Sequence, residues 1–200
     1  MIDLNNDSFD QKQGKAVFNG GNAGAVDNTV ITLEKKKAED KETAPDYKII
    51  FTDDKGAACN TSLWYVTKET QYSSIEKQIQ KQGKVLKHLA HAIIGKNYTF
   101  PPFDSAQAML DGIMGEIRKA LPKAGKFRVF TNYGTTDYPK GFIQPRSWVP
   151  FMESMSVSAD DSRLEAGDID QMTRKQKDDF VQPGSTEGAK SSTGGSDDDW

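Results

Sequence analysis

The alternation of apolar and polar positions divides the chain into two runs of strands separated by a helical stretch. Lys15 to Phe18 is a short strand candidate, stopped by Asn19-Gly20-Gly21-Asn22. Within Val26 to Lys35, residues Val30, Thr32 and Glu34 alternate with Ile31, Leu33 and Lys35, the period of two that a strand requires. In Asp46 to Thr52, Tyr47, Ile49 and Phe51 fall on one face, with Lys48 and Ile50 on the other. Asp53-Asp54-Lys55-Gly56 marks a turn. Leu63 to Val66 is the next expected strand, completing a hairpin or meander.

The period then lengthens. Ile75, Ile79, Leu86, Leu89, Ala90 and Ile93 recur at helical spacing, with Gly95 as the expected stop. After Phe100-Pro101-Pro102, Asp104 or Ser105 can cap a second helix. Its stripe runs through Met109, Leu110, Ile113, Met114, Ile117 and Leu121, and Pro122 and Gly125 end it. Strands return at Lys126 to Phe130 and at Phe142-Ile143, and Trp148 to Phe151 is expected to be extended. The expected fold is therefore mainly β (α+β). Strands, then helices, then strands is the plan of an OB-like five-stranded barrel with a two-helix insertion between strands 3 and 4. An α+β sheet with both helices on one side is the alternative.

Composition sets the boundaries. Beyond Phe151 the large apolar residues thin out, and residues 182–195 are mostly Gly, Ser, Thr and Lys, too polar to offset the entropy of ordering. The expected division is a body at 1–152 and a flexible acidic tail at 153–200, partly ordered as far as 181 and disordered after it. Residues 153–200 carry 12 acidic and 5 basic side chains, whereas residues 1–152 carry 17 and 21. A mildly basic body with an acidic tail is common among nucleic-acid proteins, although a tail that only improves solubility fits as well. No apolar run is long enough for a membrane span, and the start of the chain lacks the pattern of a secretory signal. With Cys59 as the single cysteine, a cytoplasmic location is the default.

The strand at Lys126 carries the most chemical information. Period two puts Lys126, Arg128 and Phe130 on one face and Phe127 and Val129 on the other. Tyr133, Tyr138 and Lys140 follow in the adjoining loop, then Phe142, Arg146 and Trp148. Interleaved cations and aromatics suit single-stranded nucleic acid, because cations meet phosphates and flat rings stack on unpaired bases. The plainer reading makes these aromatics core plugs or loop anchors, and for Phe142 and Trp148 it is at least as strong. Trp64 and Tyr65 are neighbours on a strand, so they face opposite ways; Trp64 is expected to be the exposed one, near Lys48. The Lys35-Lys36-Lys37 run reads better as a solvated turn balanced by Glu39, Asp40 and Glu42 than as a phosphate track.

Nothing in the sequence assembles a catalytic site. His88 and His91 have no adjacent Glu or Cys to complete a metal set, and a solvated or packed histidine is the better reading. Cys59 lies far from any basic cluster that would activate it. The expectation is a non-enzymatic protein without a cofactor. The terminal Asp197-Asp198-Asp199-Trp200 stands apart from generic acidity, since an aromatic is unusual at the end of a polar tail. Three carboxylates and an indole form a compact ligand for a basic, apolar-floored pocket on a partner.

These features together resemble the phage-type single-stranded DNA-binding proteins. The likeness rests on the acidic tip ending in an aromatic, at Asp197 to Trp200, and on the segment from Lys126 to Phe151 with Tyr133, Lys140-Gly141-Phe142 and Trp148-Val149-Pro150-Phe151. It is carried by those two segments, and two helices stand where a minimal OB domain has one. The resemblance implies sequence-tolerant coating of single-stranded DNA in phage replication, recombination or repair, in the host cytoplasm. It also implies recruitment of replication or recombination proteins by the tail. A phage adaptor protein that uses its acidic tail is the alternative. The oligomeric state, which includes a homo-oligomer, is left open.

Overall fold

The computed structural model describes residues 16–133, 143–170 and 172–173. The strands are β1 (Gly24–Lys35), β2 (Tyr47–Thr52), β3 (Ala58–Leu63), β4 (Phe127–Tyr133), β5 (Ile143–Pro145) and β6 (Met152–Ser154). The helices α1 (Ile75–Ile93) and α2 (Ala106–Ala120) lie between β3 and β4. Ser74 caps α1 by accepting from the Lys77 amide, and Ser105 caps α2 by accepting from the Ala108 amide. Gly95 follows α1 at φ 130°, a backbone setting that favours glycine, and so supplies the expected stop.

All pairings are antiparallel, in the order β3-β2-β1-β4-β5. β6 pairs with Phe127 to Val129 of β4, and β5 with Thr131 to Tyr133. The two short strands thus share one edge of β4 and fill a single fifth position. Phe130 between them donates to the Phe151 carbonyl at 2.8 Å and accepts from the Arg146 amide at 2.9 Å. Residues 147–150 leave the ladder as a bulge, which contains a cis Val149–Pro150 bond. β5 also touches β3, so the five-position sheet is a nearly closed barrel.

Alternation gives the barrel its interior. Ile31, Tyr47, Ile49, Phe51, Cys59, Leu63, Phe127 and Val129 point inward and are buried. Leu86, Leu89, Ala90 and Ile93 of α1 and Leu110, Ile113, Met114 and Ile117 of α2 join the same core. Lys35 and the hydroxyls of Tyr47 and Tyr65 converge on Asp111 of α2 at 3.0, 2.5 and 2.9 Å, which pins α2 to one end of the sheet. Partial burial opposes ionisation of Asp111, but hydrogen bonds from Tyr47, Lys35 and Tyr65 hold its carboxyl below the usual range. Burial and then the Asp111 bond push the Tyr65 hydroxyl up to about 12.

Two expectations change, and the segment after the barrel gains detail. Phe18 opens a 3-10 turn, Phe18–Gly21, and is not in a strand; Asn19 and Gly20 take positive φ there. The third strand is Ala58–Leu63, and Leu63 is its last residue. The tight turn held by Asp53, whose Oδ1 accepts from Lys55 and Ala57, starts the return strand directly after it. The segment after residue 152 joins the body as far as Asp170. β6 reaches Ser154, Leu164 is buried, and Asp170 is paired with Arg146.

Candidate nucleic-acid interface

The strand expected to present cations and an aromatic is closed over. β4 is buried on both faces through Asn132. Arg128 gives its Nε to Asp27 Oδ1 at 2.5 Å and its Nη1 to Glu153 Oε1 at 2.9 Å, so its charge is spent within the protein. Phe130 is buried beneath Arg146, whose guanidinium carbon lies 4.3 Å from the ring centroid.

Arg146 organises this edge. Its Nε donates to the Pro150 carbonyl at 2.9 Å, and its Nη2 donates to the same oxygen. Its Nη1 reaches the Glu165 carbonyl and Asp170 Oδ2, both at 2.9 Å. Trp148 is half-buried with the guanidinium 5.8 Å from its ring. Tyr133 packs against the core and donates its hydroxyl to the Gly21 carbonyl at 2.9 Å. Arg128, Phe130, Tyr133, Arg146 and Trp148 therefore build the body; none of them forms an open platform. The period-two argument placed them correctly on alternate faces, but it could not reveal that β6 and residues 162–170 cover the second face. Lys126 is exposed just before β4. It lies far from Lys48 along β1, because Phe127 pairs with Thr29 and Lys48 with Glu34. Tyr138, Lys140 and Asp197 to Trp200 lie outside the described residues.

An open cationic and aromatic surface lies on the other side of the barrel. Lys48 pairs across to Glu34 on β1 and Ser62 on β3, and points away from the inward Tyr47 and Ile49. Trp64 follows the buried Leu63, so the alternation carries it to the same outer side, where it is 53% exposed. Tyr65 takes the inner side, as expected, and its amide donates to Asp46 Oδ2 at 2.7 Å. Lys48 also lines an open groove of 590 Å³ with Lys35, Lys36 and Lys37, in which Glu34 and Asp40 offset two of the four cations.

The lysine run is in part the self-balanced turn expected. The Lys36 Nζ donates to the Glu42 carbonyl at 2.8 Å, the Lys37 amide to Asp40 Oδ2 at 2.7 Å, and the Lys37 Nζ is 3.9 Å from Glu39. These exposed contacts hold the groove's shape while leaving the Lys37 charge in water, and exposed pairs of this kind contribute little.

Among the described residues no three His, Cys, Asp or Glu side chains are grouped to hold a metal. His88 is packed: its Nε2 accepts from the Phe151 and Met152 amides at 3.2 and 3.1 Å. Burial pushes the Cys59 thiol up to about 12, far from a reactive thiolate. No described helix is long and apolar enough to cross a membrane. Comparison of the chain with known protein families, curated proteins and solved structures finds no match.

Proposed function

We propose that the chain is a single-stranded DNA-binding protein built on an OB-type barrel. The observation that carries this reading is that Lys48 on β2 and the exposed Trp64, one residue past β3, fall on the same outer side, beside a groove to which Lys35, Lys36, Lys37 and Lys48 contribute. β1 lies between β2 and β4, and both helices are inserted between β3 and β4, as in barrels that bind oligonucleotides on that face. Lys48 and Lys37 meet the phosphates, and Trp64 stacks on a base. Such contacts do not read base edges, so binding is sequence-tolerant and depends on salt. The protein performs no chemistry of its own. It coats unpaired strands during phage replication, recombination or repair in the host cytoplasm. The Asp197 to Trp200 tip docks replication or recombination proteins and competes with DNA for the basic groove.

The test is titration of oligo-dT with the full chain and with a chain ending at residue 181, at two salt concentrations. Both chains are expected to bind more weakly at higher salt, with the shorter one equal or tighter. No salt-sensitive binding by either chain overturns the reading, and a large loss in the shorter chain overturns the role given to the tail.

A further inference from the structure

α1 has a face that the sheet does not use. At 100° per residue, Lys77, Lys81 and Lys84 fall within an arc of roughly 60°. That arc is opposite the buried Leu86, Leu89, Ala90 and Ile93. Lys87 flanks it, and all four lysines are exposed. Among the described residues none of the four is in an ion pair, whereas Lys119 on α2 sits 2.7 Å from Glu116. Glu76 is the one acid on α1 and lies outside the arc. Like charges at this spacing repel, and a bound polyanion removes that cost.

The connector from β3 to α1 is fastened to the same helix. Gln82 Nε2 donates to the Trp64 carbonyl at 2.8 Å. Gln78 Nε2 donates to the Lys68 and Ser73 carbonyls at 3.1 and 3.0 Å. Thr70 and Ser73 exchange backbone bonds of 3.1 and 3.2 Å, and the resulting turn holds Tyr72 at 87% exposure. The backbone of the connector that carries these two exposed aromatics is thus tied to the helix that carries the unpaired lysines.

We infer that the outer face of α1, entered over Trp64 and Tyr72, is a second track for single-stranded nucleic acid, which continues the strand leaving the barrel. The inference rests on the barrel being a single-stranded DNA site. From Lys77 to Lys87 the stripe runs about 15 Å along the helix, long enough for a chain of phosphates but too long for a small anion. An acidic protein segment without aromatics would satisfy the lysines, but it would give the presented rings of Tyr72 and Trp64 nothing flat to stack on.

The experiment compares the full chain, a Lys77→Gln/Lys81→Gln/Lys84→Gln variant and a Tyr72→Ala variant. Each is titrated with oligo-dT of about 8 and about 30 nucleotides over a series of salt concentrations. All substituted side chains are exposed, and coincident melting curves establish that the fold is intact. The triple variant is expected to bind the short oligonucleotide as the unsubstituted chain does. It should bind the long one roughly 10-fold or more weakly, with the slope of log K against log salt reduced by about 2, at about 0.7 per lysine. Tyr72→Ala should weaken the long oligonucleotide alone, by roughly 5-fold or more. Unchanged affinity and slope with the long oligonucleotide overturn the track. An equal loss with both lengths also overturns it, because the lysines then belong to the barrel site. Failure of the unsubstituted chain to bind either length overturns the barrel reading itself, which separates the two failures.

Discussion

Arg146 and Asp170 form an ion pair of 2.9 Å with side chains 4% and 0% exposed, which fastens the acidic segment beyond the barrel to the edge of β4. Removing one partner of so buried a pair leaves an uncompensated charge and costs about 3–5 kcal/mol. Asp170→Ala, or a chain ending at residue 160, is therefore expected to lower the urea midpoint sharply. A chain ending at residue 181 should stay within about 0.5 kcal/mol of the full length. Equal midpoints for the chains ending at 160 and 181 would show that residues 161–170 add nothing to the body.

His88 makes stability depend on pH. Burial, the largest cause, depresses its pKa to about 4; the Met152 backbone hydrogen bond, next in size, opposes it, the charges of Arg146 and His91 add to the depression, and Glu153 opposes it slightly. The neutral ring is needed to accept from the Phe151 and Met152 amides. As pH falls, the unfolded chain takes up the proton first, near 6.5, and the folded chain only near 4. The stability given by neutral His88 is whole above about 6.5, declines between 6.5 and 4, and is gone below that, a loss of about 3 kcal/mol. Urea unfolding across that window should show the decline, and His88→Gln should flatten it. An imidazole NMR titration near 6.5 in the folded protein would refute the mechanism.

The sequence was most readable where one face is buried and the other wet. The 3.6-residue stripes of α1 and α2 and the alternation in β2 predict those elements closely, because a single core selects one side of each. β3 was missed because Ala58-Cys59-Asn60-Thr61-Ser62 carries little apolar contrast, and pairing with β2 across the Asp53 turn makes it a strand. The face of β4 expected to be open is covered for a related reason. Arg128 and Phe130 do lie opposite the core, but Asp27, Glu153 and Arg146 come from distant parts of the chain to cover them. Trp64 was legible because a Trp-Tyr pair in extended backbone splits between two faces, and the Tyr65 hydroxyl has Asp111 as its partner on the inner one.

Two glycines of α2 should respond oppositely to alanine. A Cβ on Gly112 would lie 2.8 Å from Phe103 Cε1, so the ring must shift. Overpacking of this kind costs about 1–3 kcal/mol, which equals or exceeds the helix-propensity gain of about 1 kcal/mol. A Cβ on Gly115 meets nothing within 4 Å, so only the propensity gain remains. Thermal unfolding should place Gly112→Ala at or below the unsubstituted protein and Gly115→Ala above it; the reverse order would contradict the packing of Phe103.

The two described tryptophans separate the open surface from the closed one. Trp64 is exposed beside Lys48, and its backbone alone is tied to α1, so truncating its ring removes a stacking surface without removing a core contact. Base stacking on an aromatic is worth about 1–3 kcal/mol, so Trp64→Ala should weaken oligo-dT binding roughly 5- to 150-fold with little change in melting temperature. Trp148 lies beside Arg146 in the bulge between β5 and β6, where its ring helps cover a cation already bonded to Pro150, Glu165 and Asp170. Trp148→Ala should therefore lower the melting temperature and leave the affinity of the folded protein within about 2-fold, a difference under about 0.5 kcal/mol. The opposite pattern, affinity lost with Trp148 and kept with Trp64, would place the DNA on the β4 edge, and the Arg146–Asp170 pair would then have to open to admit it.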